Sequence, residues 1–179
     1  MDLPPIERLL AALFPPGGSA APEVFAVLDG ARDERIYRAV YDSRLDHECL
    51  FAGDISYDLA AAAPYLVRLE REAAFTRWLL EHGWGRSFGI FAWSRADLEA
   101  LRRHFRRVLQ VKDEGGRRLY FRYYDPRVLR RYVPTCTAAE LRELFGPLVR
   151  LFAEGEQGQV LFCEPGGRAA ELQDALSSP

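Results

Sequence analysis

Lysine is almost missing from this chain: of 24 basic residues, only Lys112 is not an arginine. Together with the many alanines, this skew reads as a mark of genomic base composition rather than of function. Cysteine is scarce too. Cys49, Cys136 and Cys163 are odd in number, widely spaced and without a CxxC pair, which argues against a disulfide framework or a zinc ribbon. They read as reduced, partly buried thiols and favour a cytoplasmic setting. No apolar run approaches the roughly 18 residues of a membrane span. The apolar start is interrupted by Asp2, Glu7 and Arg8, and Ile6, Leu9, Leu10, Leu13 and Phe14 fall at helical spacing. It therefore reads as a short docking helix rather than a secretory signal.

Catalytic signatures are equally scarce. There is no GxGxxG or Walker loop. Gly85-Arg86-Ser87-Phe88-Gly89 only echoes a nucleophile elbow, because it precedes a strand where an elbow follows one. His47-Glu48-Cys49 is the sole hint of a metal site, and His82 and His104 have no partner at ligand spacing. His47 and Cys49 would share one side of a strand without forming an oriented triad. The expectation is a protein that is not an enzyme and needs neither metal nor cofactor.

What is abundant is positive charge in one place. Residues 95–131 carry 12 Arg/Lys against five Asp/Glu, whereas the whole chain of 179 residues carries −2. A cationic face on an otherwise acidic molecule attracts and steers an anionic surface. Nucleic acid is one such partner, with Tyr120 or Tyr124 as stacking platforms. The sequence pI of about 6.0 and the lack of any recognised nucleic-acid motif weigh against it. A solvated, internally paired helix face is the plainest alternative.

Hydrophobic periodicity supplies the elements. An initial helix stops at Pro15-Pro16-Gly17-Gly18. Strands are expected at 24–28, 50–51, 65–69, 87–93, 109–112, 117–123, 149–152 and 160–162. Helices are expected from the spacing of Ile36, Tyr37 and Val40, over 57–63, and from Phe75 to His82 with Gly83 closing the turn. Ser94 followed by Asp97 reads as a capping-box-like start of the next helix, with Leu98, Leu101, Phe105, Val108 and Leu109 inside and Arg102, Arg103, Arg106 and Arg107 mostly outside. Asp125-Pro126 caps another, and Thr137-Ala138-Ala139-Glu140 is a capping box for one more. Gly115-Gly116 turns a hairpin whose return strand puts Leu119, Phe121 and Tyr123 on one face and Tyr120, Arg122 and Tyr124 on the other. A terminal helix is expected over 168–176, and Trp78, Trp84 and Trp93 read as core. The fold class is α/β in the mixed α+β sense: a mixed β-sheet with an antiparallel hairpin, covered by amphipathic helices.

Several of these pieces, taken together, resemble the DUF4123 family. They are Phe25-Ala26-Val27-Leu28-Asp29-Gly30-Ala31, Ala63-Pro64-Tyr65-Leu66-Val67, Gly83-Trp84-Gly85-Arg86-Ser87-Phe88-Gly89-Ile90, Leu101-Arg102-Arg103-His104-Phe105 and Tyr120-Phe121-Arg122-Tyr123-Tyr124-Asp125-Pro126-Arg127-Val128-Leu129. They occur in the family's order across residues 24–146. The organisation that follows is a helix and linker (1–22), a DUF4123-like domain (23–146) and a C-terminal extension (147–179) packed on the same core.

The resemblance implies a non-enzymatic adaptor or chaperone of bacterial type VI secretion. Such a protein binds a cognate toxin effector in the cytoplasm and promotes its loading onto the VgrG spike. The partners implied are the effector and the spike protein, with no membrane. The alternative is a nucleic-acid-binding module using the 95–131 face. The residues expected to contact the partner are Arg86, Arg103, Arg107, Tyr120, Arg122, Tyr124, Asp125, Arg127 and Arg130.

Overall fold

The computed structural model describes residues 5–112, 115–165 and 173–175. Its centre is β1 (Glu23–Asp29), whose run of apolar residues is buried on both faces. β3 (Pro64–Leu69) pairs with one edge of β1 and β4 (Gly89–Ser94) with the other, both antiparallel. β2 (His47–Cys49) lies outside β3. On the far side follow β7 (Leu148–Glu154), β8 (Val160–Cys163) and β9 (Gln173–Asp174), giving the order β2-β3-β1-β4-β7-β8-β9.

Alternation along β1 divides the core into two. Val24, Ala26 and Leu28 face a layer made by α1 (Ile6–Leu13), α2 (Glu34–Ser43) and α4 (Ala74–Gly83). Phe25 and Val27 face the opposite layer of α5 (Leu98–Val108), α6 (Pro126–Tyr132) and α7 (Ala138–Phe145). The short α3 (Tyr57–Ala61) leads into β3. Helices thus cover both faces of one sheet, and the α+β class read from the sequence is what the chain adopts.

The sheet is not mixed, however: every pairing among the described strands is antiparallel. Helix α2 joins two parallel strands, β1 and β2, but β3 is inserted between them. Helix α4 joins β3 to β4 with β1 inserted. Strand–helix alternation along the chain therefore yields parallel next-nearest neighbours, a topology that periodicity does not distinguish from a mixed sheet.

The hairpin forms as a separate ribbon, β5 (Gln110–Lys112) with β6 (Arg118–Tyr120). Its return strand stops at Tyr120 rather than Tyr123. Beyond it the chain turns inward, and Tyr123 is fully buried, stacked 5.6 Å from the Phe105 ring and donating its hydroxyl to the Phe105 carbonyl at 3.2 Å. The edge strand lies at 47–49 rather than 50–51, with Leu50 N–H still donating to Pro64 O at 2.9 Å. Within the expected terminal helix, Gln173–Asp174 is a strand on β8 and Ala175 a turn, whereas 168–172 and 176 lie outside the described residues. Trp84 is buried, whereas Trp78 and Trp93 are half-buried against the core.

Candidate partner-binding face

The pieces that carry the family resemblance, apart from the Leu101–Phe105 stretch of α5, meet at one end of the sheet. There β1 ends at Asp29, β4 begins after the Gly85-Arg86-Ser87 loop, and β7 ends at Glu154. Antiparallel pairing makes this convergence obligatory, because the strand starts and ends alternate across the sheet. Glu154 is buried, and its carboxylate accepts from Gly85 N at 2.6 Å, Ser87 N at 2.8 Å and Ser87 Oγ at 3.0 Å. Those three bonds fix the loop, in which Ser87 adopts the left-handed conformation with φ 59°. Trp84 Nε1 ties the loop's start to Gly158 O at 2.9 Å.

Two more buried carboxylates complete the frame. Asp29 accepts from Ala31 N and from Arg122 Nη2. Asp125 caps α6 through Arg127 N at 2.9 Å and also receives the Arg127 guanidinium, Nε at 2.9 Å and Nη2 at 2.6 Å. Arg130 donates to the main-chain oxygen of Glu154. Arg32 Nε donates to Arg86 O at 2.9 Å. Arg122 and Arg127 keep about half of their side-chain surface in solvent, 49% each, while Asp29 and Asp125 keep 1% and 6%. The acids are thus inside and these two guanidiniums outside, so the surface above Asp29 and Asp125 is cationic.

The electrostatics follow from that layering. Burial pushes the Glu154 carboxyl up, against the hydrogen bonds from Ser87 and Gly85 and the nearby Arg130. Burial acts in the same direction on Asp125, but the Arg127 hydrogen bonds and charge outweigh it and hold that carboxyl below its ordinary value. The Arg127 pKa is raised by its hydrogen bonds to Asp125 and further by the charges of Asp29 and Glu154. Burial would lower that of Arg122, but the Asp29 bond and charge leave it raised.

The expected contact residues distribute unevenly. Arg86, Arg122, Arg127 and Arg130 come together here, and Asp125 sits beneath them as a cap rather than at the surface. Tyr124 is buried at 6% exposure, packed under Arg122 with the guanidinium carbon 5.9 Å from its ring centre, because the strand that would have turned it outward ends four residues earlier. Tyr120 is 68% exposed on the hairpin and meets Phe51 edge-on at 5.7 Å. Arg103 and Arg107 lie on α5, outside the network. Arg103 pairs with Glu99 at 2.5 Å, and Arg107 meets His104 Nδ1 at 3.3 Å. Buried His104 uses Nε2–H on Leu144 O at 2.9 Å, which leaves Nδ1 to accept. Its pKa is lowered, first by burial.

Sequence reasoning missed Glu154, Ser87 and Arg32. A carboxylate ending an apolar strand was the available signal for Glu154. It also missed how much of the α5 basic stripe is used internally: Arg102 pairs with Glu48 at 3.0 Å, and Arg106 Nη2 donates to Cys49 O and Phe51 O at 2.9 and 2.7 Å. These two arginines close the outer edge of β2.

Chemically, the serine and histidine side chains are engaged within the protein. The Ser87 hydroxyl donates to a buried carboxylate, and each histidine hydrogen-bonds a main-chain carbonyl, His47 to Leu45, His82 to Trp78 and His104 to Leu144. Among the described residues no group of three or more His, Cys, Asp or Glu is placed to hold a metal. No described helix is long and apolar enough to cross a membrane. Comparison with curated proteins and with solved structures finds no match. Residues 24–143 match the family described as Domain of unknown function (DUF4123), a span that runs from β1 through α7 and contains every part of the face except Glu154 and its surroundings: the chain belongs to the DUF4123 family.

Proposed function

We propose that this protein is a non-enzymatic adaptor that binds a cognate toxin effector of type VI secretion in the bacterial cytoplasm and promotes its loading onto the VgrG spike. Family membership supports the reading, and one structural observation carries it. The solvent-facing guanidiniums of Arg122 and Arg127 are held in place by the buried carboxylates of Asp29 and Asp125, on the segments that resemble the family most. A guanidinium already oriented by a carboxylate beneath it loses little further freedom when a second carboxylate arrives. An acidic or amphipathic effector segment would engage Arg86, Arg122, Arg127 and Arg130, with exposed Tyr120 and Leu119 adding apolar contact.

The experiment is recovery of partners by tagged protein from nuclease-treated lysate of the native host, read by mass spectrometry. One large polymorphic toxin, with or without spike protein, is the expected result. No specific protein, together with retention of nucleic acid when nuclease is omitted, would replace the adaptor reading with a nucleic-acid one.

A further inference from the structure

A second surface lies in the α1–α2–α4 layer, on the face of the sheet opposite α5 and α6. A groove of about 530 Å³ runs between α2, α3 and α4, with Tyr37, Tyr57 and Trp78 among its walls. Large apolar side chains are rarely left in solvent without a use, yet Tyr57 is 69% exposed here, Tyr41 49% and Leu59 45%. The rings are organised rather than scattered. Tyr37 stands 4.8 Å from Tyr41 and 5.6 Å from Tyr57, the latter nearly perpendicular at 85°. Tyr65, fully buried, backs both Tyr37 and Tyr41 at 5.9 Å, so the exposed rings rest on the core. Rigid tyrosines bury much area at small entropic cost, which suits them to contact surfaces.

The charges around the rings decide the occupant. Glu34 and Asp42 line the groove and Asp58 follows Tyr57 in α3, and none of the three forms an ion pair among the described residues. Of the two cations lining it, Arg35 is paired with Asp33 at 2.7 Å, which leaves Arg38 against Glu34 and Asp42 in the lining, with Asp58 next to Tyr57 in the chain. We infer that this groove is a docking site for an arginine- or lysine-bearing segment of a protein partner, whose cations lie over the tyrosine faces and pair with Glu34, Asp42 and Asp58. It is opposite in sign to the guanidinium face, so the two surfaces select different chemistries. Its use as the adaptor's second contact rests on the proposed function, whereas its selection of cationic segments does not.

The test uses the whole protein and two fluorescein-labelled helical peptides, one repeating Leu-Arg-Arg-Leu and one with Glu in place of each Arg, read by anisotropy. The arginine peptide should bind the wild type and lose at least tenfold in affinity to Tyr57→Ala and to Asp42→Lys. Both positions are exposed, and unchanged melting curves will exclude misfolding. Arg142→Ala, on α7 across the sheet, should leave the affinity unaltered. No binding of the arginine peptide, equal binding by Tyr57→Ala, or equal binding of the glutamate peptide would each overturn the assignment. None of these outcomes bears on whether a toxin is recovered from host lysate, so the two readings fail separately.

Discussion

Ser87 and Glu154, 67 residues apart, are joined twice, once through the serine main-chain N–H and once through its hydroxyl. The carboxylate is held where burial disfavours its charge. Its pKa is raised in the folded protein, so the folded state binds the proton more readily than the unfolded one, whose carboxyl keeps the ordinary value of 4.5. The Glu154 contribution to stability therefore falls as pH rises through the window between 4.5 and the raised folded value. Glu154→Gln should flatten the stability–pH curve above 4.5 relative to wild type. Denaturant unfolding at several pH values between 4.5 and 8 measures the difference, and parallel curves would contradict it.

Asp125 has the opposite sign. Its carboxyl is held below the ordinary 3.8, so its contribution is complete above that value and is lost as pH falls through the folded pKa. Asp125→Ala removes both the α6 cap and the Arg127 fork and should cost about 1–2 kcal/mol at neutral pH. Asp125→Asn keeps a capping oxygen and should cost less than half of that. Thermal melts of the pair distinguish cap from ion pair.

Arg122 constrains how the partner face can be probed. Asp29 beneath it is 1% exposed on its side chain, and removing the guanidinium leaves that carboxylate without its cation. Arg122→Ala should cost about 1–2 kcal/mol, less than a fully buried pair would because Arg122 itself is half in solvent. Reversing the charge at Arg122 would set two carboxylates together, so loss of effector binding there would mix folding with contact. Arg86 forms no ion pair among the described residues. Arg86→Glu should weaken effector binding at least tenfold with an unchanged melting temperature, as read by calorimetry on the purified pair.

Gly89 admits no side chain. A Cβ at this position would stand 2.2 Å from the main-chain oxygen of Val27 on the central strand. Gly89→Ala should therefore cost about 2–4 kcal/mol by forcing β1 and β4 apart. A shift of the urea midpoint with unchanged slope is the expected result.

Local chemistry was the most legible part of the sequence. Asp125 and Thr137 are the caps their spacing indicated, and the capping box with Glu140 is complete. The start expected at Ser94 falls instead at Asp97, which caps α5 by accepting from Ala100 N, because Ser94 still belongs to β4. The apolar run of β1 announced a strand buried on both sides. Strand order was not legible, because the insertions of β3 and β1 between the strands joined by α2 and α4 leave no mark on periodicity. Tyr124 was misread for a related reason: alternation was extended past Tyr120, where the ribbon ends and Tyr123 and Tyr124 both turn inward. At the partner face, the arginines were visible in the sequence. Their supports were not, since Asp29 and Glu154 are distant in the chain and only the fold brings them together.

The central position of β1 has a consequence for synthesis. The strand leaves the ribosome before either neighbour exists, and its two apolar faces wait for β3, β4 and the helices that follow. Asp29 receives Arg122 only after 93 further residues, so the face matures last although its foundation is laid first. High sequence separation of this kind slows folding and prolongs the exposure of a sticky strand. The nascent chain of this proposed adaptor thus shares the vulnerability of unfinished chains that need protection from premature contacts.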